Sequence, residues 1–207
     1  VCSSDLVPNH PSPLQDREPV PGVRFAVREQ LVLIDPPREP GSLVVRVNPL
    51  GRIPALILDD ETCVFDSPVI AEYVDTLNDN PMLIPRDDAL ARMRVKRWEA
   101  LADGVCDAAV AALLEGKRLK KEQSADWIVR QRGKVTRGLE FMAEELGDKS
   151  FCMGTHFSMA DIAVGTALGY LGFRFPDIDW RTSHPNLAKL FDKLMQRPSF
   201  ADTVPHD

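Results

Sequence analysis

The sequence lacks the features of a membrane, secreted or nucleic-acid-binding protein. It has no apolar run near the roughly 18 residues that a membrane span needs. It also lacks the basic start and long apolar stretch of a secretion signal. Acidic residues outnumber basic ones, with a net charge of −6, whereas nucleic-acid binding depends on lysine and arginine neutralising phosphates. We therefore predict a cytoplasmic protein with no membrane partner and no nucleic-acid partner.

Cysteine and histidine are few and widely spaced. The cysteines form no Cys-x-x-Cys pair, which fits a reducing compartment better than a disulfide framework. The histidines show no metal-ligand spacing, so we predict no metal site. These residues are Cys2, Cys63, Cys106, Cys152, His10, His156, His184 and His206.

Proline is concentrated at the N-terminus, where eight of the 17 prolines fall within residues 8–40. Such a density disfavours regular helices and central strands. Residues 1–6 are interpreted as a sequencing or assembly scar. Within the rest of this disrupted part, the pattern predicts the end of a helix over 23–30 and a buried strand over 31–35.

The region after residue 41 predicts a regular α/β unit. A short helical or irregular crossover over 41–47 precedes strands over 55–58 and 63–65, joined by the turn-forming residues 59–62. A helix follows from Ser67 to about Leu77. This order predicts a thioredoxin-like N-terminal domain over residues 7–78, with a linker over 79–88.

The remainder, residues 89–207, predicts an all-α helical-bundle C-terminal domain. Two stripes recur at helical spacing. A segment over 162–171 is apolar nearly all round, as in a buried central helix. Ser158 and Asp161 have the spacing of an N-terminal capping box, for which we predict a structural role. A last helix is predicted over 186–196. The stripes are Leu90, Met93, Trp98, Leu101, Val105, Ala108, Ala112 and Leu113, then Ile128, Val135, Leu139, Met142 and Leu146.

One composite motif, residues 48–56 followed by 65–73, predicts a peptide-binding site. A cis peptide is cheap only before proline, and a cis Ile53–Pro54 bond would present the Ile53 backbone to an extended peptide. Asp66 and Ser67 precede a helix that has Pro68 in its first turn, which makes a carboxylate site. A buried Asp66 carboxylate would also accept an ammonium group. The motif therefore predicts a small peptide ligand that carries both groups.

These segments resemble the glutathione site of the glutathione S-transferase superfamily. The resemblance runs from about Arg24 to the C-terminus and favours the bacterial YibF-like branch. It implies that Ile53 and Pro54 pair with the cysteinyl unit and that Arg52 reaches the glycine carboxylate. It also implies that Asp66 and Ser67 hold the γ-glutamyl end. Glutathione would be a co-substrate, and a homodimer would be the assembly.

The family's chemistry requires a thiolate at neutral pH, although a free thiol has a pKa near 8.5. A hydroxyl donor at a helix N-terminus lowers that pKa. The match in this sequence is Ser12, at a Ser-Pro step that lies further from the first helix than the family pattern expects. An ordinary turn serine is the competing interpretation.

Beyond the glutathione site, Trp98 and Asp103 are candidates for an acceptor site or its polar network. Alternatively, Trp98 belongs to the core of the helical bundle. Asp103 would then pair with Arg97 or with a neighbouring chain. We expect conjugation of glutathione to a small electrophile whose identity the sequence does not reveal. A non-catalytic interaction module, or a glutathione-dependent reductase or dehalogenase relative, remains open.

Overall fold

The computed structural model describes residues 43–77 and 82–205, and the chain divides into two compact units between Met82 and Leu83. Several sequence predictions lie outside the described residues: the interpreted scar over 1–6, Ser12, the predicted helix end over 23–30 and the predicted strand over 31–35. The described part of the first unit contains a helix, a hairpin and a second helix. In the second unit the described regular elements are helices, and one of its loops holds an isolated bridge between Phe151 and Gly154.

The described part of the first unit has two strands and two helices. Helix α1 (Leu43–Val47) occupies the predicted crossover. Strands β1 (Leu56–Ile57) and β2 (Cys63–Val64) pair antiparallel with Leu56 opposite Val64, and both are shorter than predicted. Helix α2 (Ser67–Asp75) follows directly. The turn is closed by the Leu58 backbone N–H, which donates to the Thr62 carbonyl at 2.9 Å.

The second unit is built on three helices, α3 (Ala89–Lys117), α4 (Ala125–Leu146) and α5 (Met159–Arg174). Three shorter helices follow: α6 (Trp180–Ser183), α7 (Pro185–Leu194) and α8 (Pro198–Ala201). Helix α3 packs against both α4 and α5. No helix among the described residues is long and apolar enough to span a bilayer.

The core of this unit confirms the predicted apolar face of α4 and the apolar central helix. On α4, Val135, Leu139 and Met142 are buried. Helix α5 is apolar on most sides, and Val164 and Leu168 are fully buried. Its bounds extend beyond the predicted 162–171 at both ends because the cap and last turn belong to the same helix.

The predicted stripe on α3 is wrong at its start. Leu90 and Met93 are 54% and 50% exposed, whereas Val95 and Ala102, which the stripe omitted, are buried. The predicted stripe took a five-residue step from Met93 to Trp98. Because each residue turns an α-helix by about 100°, that step rotates by about 140° onto another face.

The N-terminus of α5 is organised around the buried carboxylate of Asp161. The Ser158 backbone N–H donates to Asp161 Oδ2 at 2.9 Å, and the Ser158 hydroxyl donates to the same oxygen at 3.1 Å. The Cys152 backbone N–H donates to Oδ1 at 2.7 Å. Asp161 thus ties the preceding loop to the helix, in addition to capping it.

Candidate functional site

The candidate site begins with a turn over residues 48–52 that is held by hydrogen bonds from one side chain. Buried Asn48 accepts a hydrogen bond from the Leu50 N–H through Oδ1 and donates to the Arg52 carbonyl through Nδ2, at 3.0 and 2.8 Å. Gly51 has a φ of 62°, a left-handed conformation that favours glycine. This turn positions the backbone of Arg52, whose side chain is exposed.

Asn48 is a functional candidate that the sequence interpretation missed. Its side chain bonds at both of its polar atoms and holds the two ends of the turn together. The available signal was the Asn-Pro-x-Gly order, since asparagine and glycine are turn formers for different physical reasons. Asn48 acts on the site through the backbone of Arg52 and Ile53.

Ile53 lies next to a cis peptide, and its backbone has no partner among the described residues. The Ile53–Pro54 peptide is cis, and Ile53 is half-buried. Neither its N–H nor its carbonyl is bonded to another residue in the described ranges. An extended peptide can therefore pair with this backbone without displacing an existing bond.

Asp66 is the N-cap of α2, and its side chain is exposed rather than buried as the sequence interpretation expected. Its Oδ1 accepts a hydrogen bond from the Ser67 N–H at 2.7 Å and lies 3.4 Å from the Ser67 hydroxyl oxygen. The Asp66 carbonyl accepts from both Val69 and Ile70. Because the carboxylate caps the helix, it faces solvent at the helix end, where a ligand can reach it.

The hairpin register places the two halves of the motif at the same end. Leu56 lies opposite Val64 and Ile57 opposite Cys63. The ladder ends at the pair Leu56–Val64, so the segment before β1 and the segment after β2 both leave the hairpin at its open end. An unpaired backbone edge and an acidic helix cap with a hydroxyl therefore share one end of the hairpin.

The candidate acceptor residues lie on α3 in the helical unit. Trp98 is 4% exposed and belongs to the buried face of the helix. Asp103 is half-buried. Arg97, one of the partners predicted for Asp103, forms its ion pair with Glu145 of α4.

The cysteine thiols of the described residues are all free. Burial raises the pKa of Cys106 to about 12, and burial together with the Asp161 charge raises the pKa of Cys152. Neither supplies a thiolate at neutral pH. Cys63 is half-exposed on β2. No group of three His, Cys, Asp or Glu side chains within the described ranges is placed to hold a metal ion.

A small unit with a hairpin and a capped helix, followed by a helical bundle, defines a two-domain class of protein with an α/β part and an all-helical part. Two family models match the chain: the glutathione S-transferase N-terminal domain over residues 22–77, and the glutathione S-transferase C-terminal domain over 107–193. The chain belongs to the glutathione S-transferase family. The predicted fold class, a thioredoxin-like domain followed by a helical domain, is confirmed.

Individual relatives agree with this assignment. The chain is 41% identical over 162 residues to the uncharacterized GST-like protein YibF of Escherichia coli, covering 78% of this chain and 79% of that one. A glutathione S-transferase structure from Methylobacillus flagellatus with glutathione bound is 48% identical, with a TM-score of 0.77 over 79% of this chain and 80% of that one. One from Methylobacterium radiotolerans with glutathione sulfonate is 42% identical, with a TM-score of 0.77 over 83% and 80%.

Proposed function

We propose that this protein is a cytoplasmic glutathione transferase that binds glutathione at the open end of its hairpin and conjugates it to a small electrophile. The observation that carries the proposal is the hairpin register, in which Leu56 pairs with Val64, so that segments 53–54 and 66–67 both adjoin the open end of the hairpin. The glutathione-bound relatives support the choice of ligand.

Each part of glutathione has a matching group in this arrangement. The cysteinyl unit pairs with the free N–H and carbonyl of Ile53, as a strand pairs with a sheet edge. The exposed Asp66 carboxylate accepts hydrogen bonds from the γ-glutamyl ammonium group. The Ser67 hydroxyl donates to the α-carboxylate of the same γ-glutamyl unit. The Arg52 guanidinium reaches the glycine carboxylate. Charge-assisted bonds at both ends orient the peptide between them.

The chemical step requires a hydroxyl that donates to the glutathione sulfur and lowers its pKa. We propose Ser12 for this role, although it lies outside the described residues. The thiolate sulfur forms a bond to the electrophilic carbon, after the thiol proton has passed to solvent. In a substitution the leaving group departs as an anion with its bonding electron pair, and in an addition the carbanion formed on the acceptor takes a proton from solvent. The raised pKa values of Cys106 and Cys152 favour this chemistry over a reductase that uses either thiol as nucleophile.

Calorimetric titration of glutathione into the purified protein tests the binding part. Asp66→Asn retains a capping oxygen but removes the charge, so we expect affinity to fall about tenfold or more. The matched control is Asp60→Asn, which changes another exposed turn carboxylate of the same unit and should bind like wild type. Equal affinity in all three proteins would overturn the site.

A conjugation assay with a model electrophile, 1-chloro-2,4-dinitrobenzene, tests the chemical part. We expect Ser12→Ala to lower the rate while glutathione still binds. Binding without conjugation in wild type, across several electrophiles, would favour the non-catalytic module instead.

We also propose a homodimer. Its support is the exposed apolar side chains of Leu90 and Met93 at the start of α3, which a second copy would cover. Sedimentation equilibrium of wild type and Met93→Glu tests this. A wild-type monomer at micromolar concentration would contradict it.

A further inference from the structure

A strong concentration of positive charge falls on a segment to which the proposed function gives no role. Residues 117–137 hold eight of the 25 basic residues and two of the 31 acidic ones, a net +6 in a chain of net −6. The segment spans the end of α3, the connecting turn and the first half of α4. A concentrated positive field on an acidic protein attracts an anionic partner to one place.

Five of the exposed side chains of α4 form a regular row, which we call the α4 stripe. Its members follow one another at steps of three, four, three and four residues, so they share one face of the helix. All are exposed, with Trp127 at 42% and Phe141 at 43%. Two aromatic residues thus frame three cations. The stripe consists of Trp127, Arg130, Lys134, Arg137 and Phe141.

The three cations of the stripe are available for a partner. Within the described part of the chain, Arg130, Lys134 and Arg137 form no ion pair and no hydrogen bond through their side chains. Other cations of the segment are engaged: Arg132 pairs with Asp177, and Arg118 with Glu115. Lys120 and Lys121 of the connecting turn also have no ion pair among the described residues, so the unpaired charge of the segment lies on that turn and on the outward face of α4.

A second copy of the chain does not fit the stripe by direct helix-to-helix packing. A two-fold axis at Lys134 would set that residue against its own copy and Arg130 against Arg137 of the other chain. All three facing pairs would be cation against cation. Charge complementarity requires an occupant that is acidic at its centre.

We propose that the α4 stripe docks an acidic helical segment of another protein. The three-and-four spacing is that of the seam between two packed helices, which favours a helix as the occupant. Carboxylates at the middle seam positions pair with Arg130, Lys134 and Arg137. Apolar side chains at the ends pack on Trp127 and Phe141. An extended nucleic acid is disfavoured as the occupant because the rest of the chain is acidic and would repel its phosphates.

Tryptophan emission gives a direct readout because Trp98 and Trp180 are each 4% exposed, leaving Trp127 as the accessible indole. The probe is a synthetic helical peptide of three heptads with leucine at the two outer seam positions and glutamate at the three inner ones. We expect binding to blue-shift the emission and reduce acrylamide quenching. Added salt should weaken binding.

The test variant reverses the stripe's charge with Arg130→Glu, Lys134→Glu and Arg137→Glu together. The matched control reverses three exposed cations elsewhere, Arg46→Glu, Arg86→Glu and Lys189→Glu, and so changes net charge equally. We expect at least a tenfold loss of peptide affinity in the first and less than a threefold change in the second. Circular dichroism confirms that both are folded.

Several results would overturn the proposal. One is the absence of peptide binding to wild type, and another is equal loss in both triple variants. A third is tighter binding of a single-stranded oligonucleotide or of phosphatidylglycerol vesicles than of the peptide. A fourth is dissociation of a wild-type dimer by the stripe reversal, which would make the stripe a contact between copies.

Discussion

Asp161 accepts a hydrogen bond from the Cys152 backbone N–H at 2.7 Å across nine residues of sequence. The same fully buried carboxylate accepts from the Ser158 backbone and hydroxyl. One side chain therefore holds both the helix cap and the loop that precedes it. Removing the Asp161 carboxylate would leave these donors without an acceptor. A buried donor without a partner destabilises the folded state more than the loss of an exposed hydrogen bond does.

Replacing Asp161 should destabilise the protein more than replacing an ordinary helix-cap residue. We expect Asp161→Ala to lower the free energy of unfolding by about 3 kcal/mol, because three donors lose a charged acceptor. Ser158→Ala should cost about 1 kcal/mol, the usual effect of a cap residue. Urea denaturation measures both. Equal losses would show that the Cys152 contact adds nothing to the cap.

Gly138 and Gly104 form a matched pair for testing helix packing. A Cβ on Gly138 would lie 2.3 Å from Val105 Cγ2, so alanine there should destabilise by about 1–3 kcal/mol. A Cβ on Gly104 meets nothing within 4 Å, so alanine there should stabilise α3 by up to about 1 kcal/mol. Thermal unfolding compares the two. The same sign for both would contradict the packing of α3 on α4.

The thiols should differ in reactivity with a disulfide reagent, measured in a Cys2→Ser background. Half-exposed Cys63 should react in the native protein. Cys106 and Cys152 should react only on unfolding, because burial raises the pKa of each thiol. Rapid native modification of three thiols would refute this ordering.

The raised pKa values of the buried thiols predict that the protein loses stability at alkaline pH. Unfolded thiols ionise near a pKa of 9.0, whereas Cys106 in the native protein ionises at about 12. Ionisation between these values favours the unfolded state, so stability falls as the pH rises above about 9. Cys106→Ala should flatten that decline in a series of denaturation curves. An unchanged slope would contradict the prediction.

Glu115 should stabilise the corner between α3 and α4 in a pH-dependent way. Its Oε1 accepts from the Ser124 N–H at 2.7 Å, and this bond lowers the pKa of the carboxyl below its ordinary value of 4.5. A lowered folded pKa gives stability that is present above the ordinary value and is lost in acid. Glu115→Gln should therefore be less stable at pH 7 and converge with wild type below pH 4.5. Exposed Glu140→Gln is the control and should differ little at either pH.

The local patterns of this chain were sufficient to predict much of its architecture. The capping spacing of Ser158 and Asp161, the turn residues 59–62 and the Asp66–Ser67–Pro68 helix start each depend on neighbouring residues. Backbone preferences and short-range hydrogen bonds determine such features, so they can be interpreted from sequence. The Ile53–Pro54 cis peptide belongs to the same group.

Other features required the folded chain. The burial of Val95 in place of Met93 depends on which face of α3 meets α4 and α5, and helical spacing alone leaves that rotation open. The exposure of Asp66, the bond from Cys152 to Asp161 and the contact of Gly138 with Val105 also depend on elements brought together from elsewhere. The sequence by itself determined the elements, their caps and the family motif. The tertiary structure decided which faces were buried and which charges on α4 stayed unpaired, because those outcomes depend on packing between segments distant in sequence.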